Sequence, residues 1–440
     1  MKHKTIIIGA GISGLSAAHF LQQKKEDFLV LEAAPTVGGN IRSQLVAGFV
    51  CENGPNTVLM NNPATEELIA ELGLSQEVCR PAQSAAQSRF VLYQDKLQQI
   101  PTTPWSFVRS PLLNWKEKLA VLQDFYTAKH TADSSVADFC KKRFGNAFYQ
   151  QFIVPFVTGI YAGNPEKMSV KFALKSLWGL EQEYGSVIKG LIQKQKERKG
   201  LPAQTIFSFP KGLGQLCNAI GQGLGTRLHT HTEVQKIENI DQGYKLHTSK
   251  GVFECKQLIC TLAGPQLAAL IEAGELSTKL KSIEYVPVDV YHFGFDKKQV
   301  KNQIPGFGIL TKATDNKHFL GALFNSRFFA HTAPQGKELF TLIVGGSRQA
   351  QLCEEDPKKV APILLDELKE LLSIEGEPCM EKHLRWGKAI PQYDLQHQQL
   401  LDALQQHASL HPAFYILGNY AHGISVSDRV LRAQELINNL

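Results

Sequence analysis

Three glycines and an acid give this chain its first recognisable chemistry. They stand in Gly9-Ala10-Gly11-Ile12-Ser13-Gly14 and at Glu32. Gly9 allows a tight turn, Gly11 lets a pyrophosphate approach the backbone, and Gly14 lets a helix pack close to a strand. A helix starting near Ile12 and Ser13 would present free N–H groups and a positive dipole end to the phosphates. Glu32 lies about 20 residues beyond the first glycine, where a carboxylate accepts ribose hydroxyls and repels a 2′-phosphate. The pattern favours NAD or FAD over NADP. Downstream, Gly38 and Gly39 precede Arg42, a cation able to reach an anion. Gly54 lies in a polar turn, Glu52-Asn53-Gly54-Pro55-Asn56.

The C-terminal end carries a second such turn. Leu417-Gly418-Asn419 leads through Tyr420-Ala421-His422-Gly423 to Ile424-Ser425-Val426 and a closing helix. A strand ending in glycine before a helix offers N–H groups to an anion or to an electron-rich ring edge. A chain that builds one nucleotide site from both of its ends points to a large cofactor such as FAD. The plainer reading is an ordinary strand-to-helix turn. His422 in this turn either contacts a ligand or is a surface residue. His229 and His231 share a strand face without a third metal ligand, so no metal site is expected. No Ser-His-Asp order and no GxSxG elbow is present, which disfavours nucleophilic hydrolysis.

These residues need a frame. Thr5 to Ile8 and Leu29 to Leu31 read as strands flanking the glycine turn and its helix, a βαβ unit. A helix is predicted over 63–74, with Asn62 as its cap and Pro63 in its first turn. Residues 87–100 alternate as a hairpin that turns at Gln94-Asp95-Lys96. Residues 101–200 switch to helical periods. Helices are predicted over 116–129, 135–144, 146–157 and 170–180, before the basic stretch Lys189 to Lys199. Strands return near 227–237, 244–249, 251–254, 257–262, 285–296 and 305–347. A helix over 357–373, a strand over 414–419 and a helix over 428–436 complete the chain.

The 440 residues suffice for two or three structural units and a large core. With 43% apolar and 20% charged residues, the chain is that of an ordinary globular protein. The net charge of +6 suits an anionic ligand or lipid as well as plain solvation. No aromatic-interleaved basic motif points to nucleic acid. The eight cysteines include no CxxC pair and no zinc spacing. The basic start could open an export signal, but its three glycines and lack of a clear small-residue cleavage site argue against one. Scattered cysteines without such a signal fit a reducing, cytoplasmic setting. No apolar run reaches the roughly 18 residues of a membrane span. Trp105, Phe107, Leu112, Leu113 and Trp115 crowd around Arg109 among prolines. That composition suits either peripheral contact at a membrane face or an internal core.

The glycine turn, Glu32, Gly38-Gly39 with Arg42, Gly54-Pro55, the helical insertion and Gly418-Asn419 resemble the FAD-dependent amine-oxidase superfamily. Within it, several stretches are similar to the oxygen-dependent protoporphyrinogen oxidase family, across nearly the whole chain. They are Phe156-Val157-Thr158-Gly159-Ile160-Tyr161-Ala162-Gly163-Asn164-Pro165, Phe209-Pro210-Lys211-Gly212-Leu213, and Trp386 with Ala389-Ile390-Pro391-Gln392-Tyr393. Gly418-Asn419-Tyr420 with Gly423-Ile424-Ser425-Val426 completes the set.

The resemblance implies FAD as cofactor, a porphyrinogen as substrate and oxygen as acceptor, with six electrons removed and hydrogen peroxide released. It implies that Gly9, Gly11, Ser13, Gly14, Glu32, Gly39, Arg42, Gly54, Gly418, Ile424 and Val426 surround FAD, with the Val234 backbone holding the adenine. It also implies that Arg89 pairs with a propionate, that Gly159 lies against the macrocycle, and that Leu310 and Ile343 sandwich it. Thr158 stands where some relatives carry a basic residue, and Ile343 where some carry Met, which alters the pocket's fine shape. Such chemistry asks side chains mainly to orient a ring and exclude water, consistent with the lack of an acid–base dyad.

The expected class is therefore α/β: an FAD-binding Rossmann-like domain, a mixed β-sheet substrate domain and a helical insertion domain. The first takes residues 1–79, 203–280 and 383–440, the second 80–100 and 281–382, and the third, with its membrane-facing segment, 101–202. Three alternatives stay open. One is coproporphyrinogen III as substrate. Another is a different superfamily oxidase, although Ala421 and His422 stand where a covalent flavin cysteine would. The third is a lipid-binding relative without catalysis. A homodimer is also compatible with the sequence.

Overall fold

Ile6, Ile7 and Ile8 are buried on both faces of the strand Lys2–Ile8, as a central parallel strand requires. A computed structural model describes residues 2–81, 88–197 and 205–440. Residue 87, the end of the basic stretch at Arg198 and Lys199, and the expected boundary at 202/203 lie outside the described residues.

The first seven-stranded sheet runs Val234–Ile240, Gly243–Thr248, Gly251–Cys260, Lys2–Ile8, Phe28–Leu31, Leu228–His229, with Phe414–Ile416 beside Gly251–Cys260. One continuous strand, Gly251–Cys260, replaces the two short strands expected there. Its first half pairs with Gly243–Thr248 and its second with Phe414–Ile416, while Lys2–Ile8 runs along its other edge. The helices Ile12–Gln23, Gly214–Leu224 and Val426–Asn438 share one core against this sheet. Asn62 caps the helix Pro63–Glu71, its side chain accepting from the Thr65 amide at 3.0 Å.

The second seven-stranded sheet runs Met380–Pro391, Tyr285–Asp296, Lys337–Gly345, Gly321–Leu323, Gly308–Leu310, Arg89–Tyr93, Lys96–Gln99. The hairpin turns where Gln94 and Asp95 both adopt positive φ, as a tight two-residue turn demands. Met380–Pro391 is a strand that the sequence reading did not assign, and it crosses the expected boundary at 383. The back of the sheet, including Tyr291, Phe293, Phe295, Phe340 and Leu342, is sealed by the helix Pro357–Leu372. Its front meets Phe49 and Cys51 of the strand Phe49–Glu52 and, at Leu310, the helical unit.

The helical unit is more broken than its periodicity predicts. The helix expected over 146–157 becomes Asn146–Phe148, a π turn Tyr149–Ile153, and Val154–Tyr161. Pro155 supplies the reason: it has no N–H to donate one turn back. The helix expected over 116–129 stops at Val121, and Asp124 turns inward. The helix expected over 170–180 divides into Val170–Ala173 and Lys175–Tyr184, because Leu174 leaves helical geometry.

Asp124 turns inward to meet Arg143. The fully buried Arg143 donates to Asp124 Oδ1 at 2.5 Å and, through Nε, to Glu181 Oε1 at 3.0 Å. Asp124 also accepts from Ser186 Oγ at 2.6 Å and from the Ile188 amide at 2.8 Å. Removing one partner of a buried ion network leaves the others uncompensated. Arg143→Ala is therefore expected to cost about 3–5 kcal/mol of stability. The check is a lowered midpoint of chemical unfolding, read on the tryptophans of this unit.

Candidate functional site

The parallel strands of the first sheet end on one rim, which carries Gly9, Glu32 and Gly418. Such a rim is where ligands bind in open α/β sheets. Gly9 has φ +99°, a left-handed conformation that makes the turn into the helix Ile12–Gln23. A Cβ at Gly14 would sit 2.0 Å from the Gly9 carbonyl oxygen, so the helix packs as close as the motif implied. A Cβ at Gly11 would meet nothing within 4 Å: it would project into open space beside the helix N-terminus, which no side chain caps. Ser13 lies buried in the first turn.

Of the remaining predicted cofactor residues, Gly39 returns to the turn at Gly11, and the others come from separate elements. Gly39 lies against Gly11, its ideal Cβ 3.2 Å from the Gly11 Cα. Gly54 lies against Asn40, and the Asn53 amide donates to the Arg42 carbonyl at 2.8 Å. Arg42 is half-buried, with a buried Nε that has no partner. The Glu32 carboxylate accepts from the amides of Ala10 at 2.6 Å and Ala34 at 2.8 Å. These bonds fix it on the rim and leave lone pairs for hydroxyl donors. The Thr232 amide donates to the Glu32 carbonyl at 2.8 Å, which brings the nearby buried Val234 to this end. Ile424 packs on the helical unit, and Val426 opens the last helix. Open space beside Gly11, uncapped helix amides and the buried Arg42 Nε, which has no partner among the described residues, leave this rim rich in donors. This chemistry fits a dinucleotide pyrophosphate.

Strand register places the predicted substrate residues together. Leu310 pairs with Gly321, Gly321 with Ile343, and Ile343 with Val290. Register partners project on one face of a sheet, so Leu310 and Ile343 share the front. Arg89 pairs with Gly308, two residues along from Leu310, and shares that face. Gly159 reaches it from the helix Val154–Tyr161, where an added Cβ would press on Leu310 Cδ2 at 2.5 Å. The Arg89 guanidinium has no hydrogen bond or ion pair among the described residues, and it lies 4.8 Å over the Phe307 ring. The residue is exposed, yet surrounding protein lowers its pKa from the ordinary arginine value. Accessible but crowded is the condition of a group lining a cavity.

Two residues outside the predicted set join the halves of the site. Lys382 Nζ donates to Asn53 Oδ1 at 2.6 Å, and Trp386 Nε1 donates to the Asn53 carbonyl at 2.5 Å. Both stand on Met380–Pro391 and share the front face with Leu384. The adjoining Glu52 is buried and accepts from Ser43 Oγ at 2.6 Å and from the Leu213 amide at 2.7 Å. Burial pushes its carboxyl up to about 7, although these donors and Lys382 favour the anion. Burial lowers His292, the register partner of Lys382, to about 3, so it is neutral. The sequence signal for this clamp was Trp386 within its motif; Lys382 carried none. Among the described residues no cluster suits a metal, and all eight cysteines are free. The expected His229–His231 face does not form, because the strand ends at His229 and His231 turns with positive φ.

The profile of flavin containing amine oxidoreductases matches residues 12–432. The chain is 27% identical to protoporphyrinogen oxidase 2 of Arabidopsis thaliana, across 97% of this chain and 91% of that protein. It is 26% identical to coproporphyrinogen III oxidase of Bacillus subtilis, across 100% of this chain and 98% of that protein. A solved structure from Exiguobacterium sp. 255-15, provisionally described as a protoporphyrinogen oxidase, superposes with TM-score 0.85 at 23% identity. That match spans 99% of this chain and 98% of the other, and it shows a shared fold.

The two glycines predict distinct outcomes. Gly11→Val is expected to fold, because its side chain enters open space, and to be purified colourless, because that space takes the phosphates. Gly14→Val is expected to lose folded protein itself, because it drives a side chain into the Gly9 carbonyl. Visible absorbance and thermal unfolding of both variants check this. A yellow Gly11→Val protein would contradict it.

Proposed function

The chain belongs to the flavin-containing amine oxidoreductase family, and on that premise we propose that it oxidises a porphyrinogen, with protoporphyrinogen IX as the preferred substrate. It is an FAD-dependent oxidoreductase. The observation that carries the substrate reading is the front of the second sheet, an apolar floor with one uncommitted guanidinium at its edge. Leu310 and Ile343 form the floor, Gly159 with the exposed Phe156 and Ile160 forms the roof, and Arg89 stands at the side. A flat macrocycle fits such a slot, and an arginine fork fits a carboxylate.

Other cations of this region are already engaged. Lys312 Nζ donates to the Leu92 carbonyl at 2.8 Å and to Gln151 Oε1 at 2.9 Å. Arg327 pairs with Glu338 at 2.8 Å, and Arg348 donates to the Thr311 and Phe319 carbonyls at 2.9 and 2.6 Å. Lys382 is held by Asn53. This supports a substrate with carboxylates along one edge, as in protoporphyrinogen IX, over coproporphyrinogen III with carboxylates all round. When bound, FAD supplies a two-electron sink; six electrons leave the macrocycle in three rounds, with oxygen as acceptor and hydrogen peroxide as by-product. The protein's part is to hold the ring, exclude water and anchor a propionate.

A second face supports peripheral membrane contact. Leu112 and Leu113 belong to the core, but Trp105 and Trp115 are 63% and 67% exposed. Arg109 lies 4.5 Å over the Trp105 ring, and Lys118 lies 4.9 Å over Trp115. Exposed rings beside cations suit the headgroup layer of an anionic membrane. Among the described residues, no helix is long and apolar enough to cross one.

Arg89→Ala is expected to raise KM for protoporphyrinogen IX about tenfold or more, the loss of one charge-assisted hydrogen bond worth about 1.5–3 kcal/mol. Its flavin content should match the parent. Steady-state fluorescence of porphyrin formation should also rank protoporphyrinogen above coproporphyrinogen. The reverse ranking would move the assignment to the latter, and turnover of neither would end it. The Trp105→Ser, Trp115→Ser double variant should cosediment severalfold less with vesicles of anionic lipid. Equal cosedimentation would remove this face.

A further inference from the structure

Arg429 is a cation in an unexpected place. It stands in the first turn of the helix Val426–Asn438 and is 4% exposed. Nη1 donates to the Gly418 carbonyl at 2.7 Å, while Nε and Nη2 are buried without partners. Among the described residues no carboxylate forms an ion pair with it. An uncompensated buried charge is costly, so its retention calls for a counterpart.

The surroundings add to the positive potential. No side chain caps the helix at Ser425, so its first amides stay open, and Asp428 is the acid in its first turn. Lys175, from the helix Lys175–Tyr184, and Arg432 both interact electrostatically with Arg429; Arg432 is itself shared with Glu435 at 2.5 Å. Among the described residues, Asp428 is the carboxylate that acts on Arg429. His422 is neutral at pH 7, since burial and these cations lower its pKa to about 4. The other groups facing Arg429 are the Tyr393 and Tyr420 phenols. Tyr393 donates to the Asn419 carbonyl at 2.5 Å, and the Tyr420 hydroxyl is unpaired. Both phenols are pushed above the usual range by burial and stay neutral.

We propose that Arg429 is a positioning residue for the cofactor's redox chemistry: its buried charge raises the reduction potential of flavin held at the Gly418–Val426 turn. This rests on the placement of the flavin ring by Gly418, Ile424 and Val426. Two-electron reduction leaves negative charge on the pyrimidine end of the ring, and a fixed cation in a poorly screened interior favours that state. The anchor on Gly418 keeps the guanidinium behind the backbone that opens the turn, so the effect acts through the field and not through contact.

The test is the midpoint potential of the bound flavin, measured anaerobically by dye equilibration on the parent, Arg429→Met and Arg429→Lys holoproteins. No porphyrinogen is used, so the substrate assignment neither helps nor harms the outcome. Arg429→Met is expected to weaken reduction about tenfold or more, about 30 mV for a two-electron couple. Arg429→Lys should restore most of it near neutral pH. A buried ammonium loses its proton more readily than guanidinium. The Lys variant should therefore show an extra fall in potential as pH rises, a fall that the parent lacks. This second readout holds even if Arg429→Met fails to fold. A potential unchanged in Arg429→Met, or a Lys variant that follows the parent at every pH, would overturn the proposal. Loss of flavin from Gly11→Val alongside an unchanged potential would keep the cofactor site and remove Arg429 from it.

Discussion

Two hydrogen bonds to one residue tie the halves of this molecule together. Lys382 and Trp386 both grip Asn53, one at its side chain and the other at its carbonyl. Asn53 precedes Gly54 in the cofactor rim, while both donors stand on an edge strand of the second sheet. The placement of the glycine rim against the front of the second sheet thus leans on a junction that is partly desolvated, where hydrogen bonds are stronger and errors cost more. Phe49 and Cys51 close the front of the same sheet beside it with Leu339 and Met380, so the remaining opening lies toward Leu310 and Arg89.

Much of the rim could be read from the sequence because its determinants are local. Gly9, Gly11 and Gly14 act within six residues, and their roles follow from turn geometry and close packing. Asn62 with Pro63 marks a helix start, and Gln94-Asp95 marks a hairpin, for equally local reasons. The resemblance extended this reach, and register then placed Leu310 and Ile343 on one face. Arg89 joined them through the parallel pairing of Arg89–Tyr93 with Gly308–Leu310, which brings together strands more than two hundred residues apart.

What escaped was non-local. Met380–Pro391 alternates weakly in hydrophobicity, since its front carries Lys382 and Trp386 in place of aliphatic residues, so it did not read as a strand. The partners of Arg143 lie 19 and 38 residues away, and periodicity alone cannot foresee that Asp124 will leave its helix to meet it. Arg429 looks like a surface position on an amphipathic helix, and only the packed neighbours Tyr393 and Tyr420 reveal its burial. Trp105 and Leu112 belonged to one aromatic cluster by composition, and the fold divides them between solvent and core.

The π turn Tyr149–Ile153 has a consequence for how the slot is shaped. One residue advances an α-helix by about 100°, so a widened turn resets the angular phase of every residue after it. Gln151 within this turn is bonded to Lys312, two residues past the strand Gly308–Leu310, which pins that phase in place. Chain length at this point helps set which flank of Val154–Tyr161 looks down on Leu310. A single-codon deletion here would re-aim the whole ceiling while leaving each of its residues unaltered.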